Sequence, residues 1–218
     1  MLVDVHTHIY LRRFVDLLKS RTDLPRIRSG RLFILDVDKT SNGRPIGSEY
    51  WDVHEKIAFM DKHRIDISIV SPANPWLDFL SPIPAYTLAK QLNGDLEHYC
   101  RSSPTLGRFF GFGLLPLVPG ISIDNLIEVI HDISISPHLK GVIIGTRGIG
   151  NGLDDDKLDP LWAAIESSSL VVFIHPHYGV DSNAWGQKDN GHVLPLALGF
   201  PFETTTVSIS PPLLLIIY

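Results

Sequence analysis

An α/β fold with a mostly parallel sheet is what this sequence predicts, and three observations predict it. Short apolar runs rich in Val, Ile and Phe recur along the chain. Stretches with helical spacing of apolar residues lie between them. The runs lack the strict polar alternation of a sheet with one wet face, so the sheet is expected to be covered on both sides.

The apolar runs are LVDVHTHI (2–9), DISIVSPA (66–73), RFFGFGLLPL (108–117), LKGVIIGT (139–146) and LVVFIHPH (170–177). Helices are expected over 11–21, 48–63, 84–103, 123–133 and 158–168. In the first, Leu11, Phe14, Leu17 and Leu18 share a face, and in the second Val53, Ile57 and Met60 do. The segment 22–47 reads as an insertion after the first strand–helix pair, with room for a short hairpin. Strand starts near 2, 66, 108, 140 and 170 lie about 42 residues apart on average, so five βα units fill the chain. A doubly wound open sheet is one arrangement of such units. No G-x-G-x-x-G follows the first strand, which argues against a dinucleotide site. The other arrangement is a (β/α)₈ barrel, which at this spacing would need about 340 residues.

Composition narrows the class. Of the 218 residues, 44% are hydrophobic and 20% charged, as in a globular domain with a substantial core. The formal net charge is −5, and no basic block exceeds two residues, so neither nucleic acid nor an anionic membrane is an expected partner. The single cysteine, Cys100, excludes an internal disulfide and suits a reducing compartment. No secretory signal and no membrane-length apolar run is evident, and a cytoplasmic location is expected.

The chemistry concentrates at two strand ends. In a strand, residues i and i+2 share a face. Asp4, His6 and His8 therefore share one face, while Val3, Val5 and Thr7 are expected to face the helices. His6 and His8 fall at the C-terminal end of the first strand, where α/β sheets and barrels keep their sites. Two satisfied polar residues would account for one H-x-H. The fifth strand, however, repeats the form, ending in His175 and His177 around Pro176. Imidazoles delivered by two separate strands to one edge make a metal site the expectation. His175, nearest the strand, is the better ligand, and His177 lines the pocket or supplies a supporting bond.

Other candidates are polar groups in the loops at that edge. Arg44, in NGRPIG, is suited to bidentate pairing with a substrate carboxylate, against the alternative of a solvated loop arginine. Asn74 and Trp76 follow the second strand and suit a planar polar ring. Arg147, in GTRGIG, is an anion-binding candidate, and His192 a candidate pocket-lining residue.

VDVHTHI, DISIVSPANPWLDF, KGVIIGT, LDPLWAA, VFIHPHYG and HVLPLALGFPFETTT together resemble the amidohydrolase-related decarboxylases. That is the aminocarboxymuconate-semialdehyde decarboxylase family, and most of all its fungal isoorotate (uracil-5-carboxylate) decarboxylase branch. The resemblance runs from residue 2 to about 206. It implies a TIM-type (β/α)₈ barrel of the metal-dependent hydrolase kind, with five of eight βα units present. It also implies one divalent metal, usually Zn2+, on His6, His8 and His175. The implied reaction is non-oxidative decarboxylation of an aromatic, pyrimidine or unsaturated carboxylic acid, and homodimers are common in the family. The family pattern continues with a histidine from the sixth strand and an aspartate from the eighth, and neither is in this sequence. The domain expectation is therefore a partial barrel over 1–206 and an aberrant apolar tail over 207–218, with poor stability and impaired turnover. A metal-dependent hydrolase on the same scaffold and a non-catalytic fragment are the rival readings.

Overall fold

The computed structural model describes residues 1–34, 43–102, 107–177 and 195–208, though not the side chains of 195, 196 and 206–208. The elements run in the order β1 (Val3–Ile9), α1 (Arg12–Ser20), β2 (Arg26–Arg28), β3 (Arg31–Phe33), β4 (Arg44–Pro45), α2 (Val53–His63), β5 (Ile67–Pro72), α3 (Pro82–Arg101), β6 (Phe109–Leu114), α4 (Ile123–Ser134), β7 (Leu139–Gly145), α5 (Asp159–Ser167), β8 (Val171–His175) and α6 (Phe200–Ser208). Each of the five expected strands forms. β-branched and aromatic side chains favour the pleated backbone, and local signals set the helix limits. The Asp52 carboxylate, for example, accepts the His54 and Glu55 N–H groups at 2.8 and 3.4 Å and so starts α2.

The main sheet has the order β1-β5-β6-β7-β8, with every pair parallel. A doubly wound sheet reverses its strand order at a switch point. Here each new strand adds to the same edge, which is the barrel pattern. The sheet is also curled. The His6 and Phe173 rings, on the two outermost strands, meet with centroids 5.2 Å apart. The result is the five-stranded portion of a TIM-type barrel, concave inside and backed by helices.

The core lies between the sheet and those helices. Leu92 and Leu96 of α3, Ile130 and Ile133 of α4, and Leu161 and Ile165 of α5 are buried with Phe109, Val142 and Ile144 of the strands. Each such side chain contributes about 1.5–3 kcal/mol through removal from water. Asn93 is the polar exception. Its buried amide donates to the Leu114 carbonyl at 2.9 Å and accepts the Leu114 N–H at 2.7 Å, tying α3 to the end of β6.

Two sequence expectations need correction, and one helix goes beyond them. Val3 and Val5 do not face a helix: they are 37% and 53% exposed. β1 is an edge strand among the described residues, and α2 reaches only its end, where Lys56 Nζ donates to Thr7 Oγ1 at 2.9 Å. The 22–47 insertion holds three strands rather than a hairpin alone. β2 and β3 pair antiparallel through Ser29 and Gly30, both at positive φ (49° and 69°), and β4 adds to β3. A helix also forms directly over FPFETTT, as α6. Among the described residues, no helix is long and apolar enough to cross a membrane. His192 and the apolar tail from 209 onward lie outside the described residues.

Candidate metal centre

β1 is seven residues long and ends at Ile9, so its period-2 geometry carries His6 and His8 to the C-terminal rim. β8 ends at His175, where the following proline removes the next ladder donor. Curling of the sheet then brings the two rims together. His6 Nε2 lies 3.2 Å from His8 Nε2, and His8 Nε2 lies 3.1 Å from His175 Nε2. The three rings stand nearly perpendicular to one another, with centroids 4.8–5.3 Å apart.

Tautomers follow from the outer nitrogens. His175 Nδ1 lies 2.8 Å from the Pro176 carbonyl, which can only accept. His175 therefore carries its proton on Nδ1 and turns the Nε2 lone pair inward. His8 Nδ1 sits 3.0 Å from Ser71 Oγ. Burial, reinforced by the neighbouring His175 and His6, pushes the His8 imidazole down to about 3. Burial likewise pushes His175 below its ordinary value. Both rings are neutral at pH 7, the form in which imidazole ligates. Ligand nitrogens at ~2.0–2.1 Å from a tetrahedral ion are about 3.3 Å apart. Two of the three pairs, at 3.1–3.2 Å, match that requirement, and all three ligand atoms lie within 4.8 Å of one another, so the cluster can hold a divalent metal.

The remaining candidates divide by place. Trp76 is buried and edge-on to both His175 and His177, with centroids at 5.7 and 5.1 Å, and its indole donates to the Pro72 carbonyl. Asn74 donates through Nδ2 to the Pro176 and His177 carbonyls, and its buried Oδ1 has no partner among the described residues. Arg44 is exposed; it donates to the Tyr10 hydroxyl, and its charge is among the influences on His8. His177 is buried, with Nε2 3.1 Å from Asp78 Oδ2, so it is held in a pair beside the cluster. Arg147 is exposed in the glycine-rich loop after β7. Sequence reasoning missed Ser71, Asp78 and Glu203. All three lie inside the quoted motifs DISIVSPANPWLDF and HVLPLALGFPFETTT, which was the available signal. A cavity of about 620 Å³ opens elsewhere, among residues of α1, α2 and α3, and includes none of the three histidines.

No family model matches the sequence. The fold has solved counterparts. IDCase of Metarhizium anisopliae, in apo form, superposes with a TM-score of 0.86 at 40% identity, over 95% of this chain and 59% of that one. The curated proteins that this chain is similar to are named as decarboxylases. The 2-amino-3-carboxymuconate-6-semialdehyde decarboxylase of Dictyostelium discoideum is 29% identical over 162 residues, covering 74% of this chain and 43% of the relative. Decarboxylase yanB of Aspergillus niger is 32% identical over 143 residues, covering 63% of this chain and 38% of the relative. The chain thus spans about two fifths of those curated proteins and about three fifths of the solved one.

Proposed function

We propose that the chain carries the metal-gripping part of a metal-dependent carboxy-lyase that acts on an aromatic, pyrimidine or unsaturated carboxylic acid. The observation that carries this reading is the convergence of three imidazole nitrogens within 4.8 Å of one another, two of the pairs at 3.1–3.2 Å, in a frame that matches IDCase at a TM-score of 0.86. His6, His8 and His175 would hold the ion, and Zn2+ is the proposed identity because a set of three imidazoles suits it. When bound, such an ion supplies Lewis acidity and a template for a carboxylate and a neighbouring oxygen.

The chain's own groups support an acidic planar substrate. Arg44 stands over the Tyr10 and Tyr50 rings at 5.8 and 5.5 Å, offering a guanidinium to a carboxylate. Asn74 Oδ1, buried and unpartnered among the described residues, would accept an N–H such as a pyrimidine ring presents. Trp76 gives an apolar wall that excludes water beside His175.

The test has two stages. Zinc titration is expected to end at one ion per chain and to fail in His6→Ala, His8→Ala and His175→Ala. The zinc-loaded protein is then offered aromatic and pyrimidine carboxylates in ¹⁸O-labelled water. Carbon dioxide release, with no label entering the organic product, is the expected result. Absence of zinc binding would remove the reading. Hydrolysis of an amide or lactone with label incorporation would replace it with a hydrolase.

A further inference from the structure

The turn that carries His175 is held by three side chains from two distant segments, the loop after β5 and α6. Beyond His175 the strand pairing stops, because Pro176 has no N–H and β8 ends there. The backbone of the turn is satisfied in other ways. Asn74 Nδ2, from the loop after β5, donates to the Pro176 carbonyl at 3.2 Å and the His177 carbonyl at 2.5 Å. Asp78 Oδ2 lies 3.1 Å from His177 Nε2. Glu203 Oε1, on α6, accepts the His177 N–H at 2.8 Å and also the Thr146 hydroxyl at the end of β7. The Pro176 carbonyl so fixed is the one that pairs with His175 Nδ1 at 2.8 Å.

We propose that Glu203 is a positioning residue for the metal site: it fixes the Pro176–His177 backbone and, through the Pro176 carbonyl, the ring orientation and tautomer of His175. This rests on the metal-site reading above and adds to it a residue on an element that contributes no ligand. Among the described residues the carboxylate accepts from the Thr146 hydroxyl and the His177 N–H, so β7 and the turn both help to set its geometry. Ring orientation matters because one nitrogen lone pair must meet the ion along its axis. Loss of such supporting partners weakens metal affinity by about 10–100-fold.

Cobalt(II) gives a readout independent of turnover. It substitutes for zinc in tetrahedral sites, and its visible absorption reports ligand geometry. Wild type, Glu203→Ala, Glu203→Gln and the exposed control Thr205→Ala are titrated with cobalt. Glu203→Ala is expected to weaken binding about 10–100-fold and alter the visible band. Glu203→Gln keeps an oxygen that accepts the His177 N–H, and is expected to stay within about threefold of wild type. Thr205→Ala is expected to be unchanged. Wild-type affinity in Glu203→Ala would overturn the proposal, as would Glu203→Gln failing as badly as Glu203→Ala, since the role would then be charge alone. A wild-type chain that binds no cobalt would instead remove the metal site and the positioning role with it.

Discussion

Single residues around the histidine cluster leave little room for change. A Cβ on Gly145 would sit 2.3 Å from Trp76 Cζ3 and 2.5 Å from His177 Nδ1. Both are atoms of buried rings, which cannot swing aside like a flexible side-chain tip. Gly145→Ala is expected to destabilise the chain by about 1–3 kcal/mol, measured by urea unfolding, and to weaken zinc binding. Cys100 offers a pH signature. Burial pushes its thiol up to about 12 from an ordinary 9.0. A raised folded value means that stability is fully present below the unfolded value and declines as pH rises above about 9. The stability advantage of wild type over Cys100→Ala is therefore expected to shrink by about 1 kcal/mol between pH 8 and pH 10. In the native chain at pH 8 the thiol should resist alkylation, and react only in denaturant. His6, His8 and His175 were legible because strand periodicity and a terminating proline are local properties. Glu203 was not, because nothing local links residue 203 to a turn at 176.

Elements were readable where their chemistry is local. The five main strands and the helices between them follow from apolar period and capping, and shift by only a few residues at their ends. The three-stranded insertion was only half legible. Ser29-Gly30 signals a hairpin, but β4 pairs with β3 across a separation that no short pattern encodes. α6 was hidden because its sequence, FPFETTTVS, has little helical amphipathicity. Asn93 carries a testable link between elements. Asn93→Leu would leave both the N–H and the carbonyl of Leu114 without that partner. A loss of about 2–3 kcal/mol is expected in chemical unfolding, without change in zinc stoichiometry.

For the whole molecule, the decisive feature is that the candidate ligands lie on the two outermost strands of the described sheet. An ion held there would bind the native state and not the unfolded one. At 100-fold excess over its dissociation constant it should add about 2.7 kcal/mol to stability. Chelator treatment is accordingly expected to lower the thermal midpoint, and His175→Ala to abolish the difference between metal-loaded and metal-free protein. The exposure of Val3 and Val5 was not legible, because no pattern within a strand states whether it will be central or at an edge. The sheet's curl entered only through resemblance, since periodicity fixes which face a residue occupies and not how strands bend around an axis. The separation of the histidines also sets a clock on biosynthesis. His8 leaves the ribosome 167 residues before His175, and His6 earlier still. At ordinary translation speeds that is a wait of roughly 10–30 s. Through that interval β5, β6 and β7 can join β1 in the order they are made, and the nascent chain can capture no ion at this site until the last of its five parallel strands has emerged.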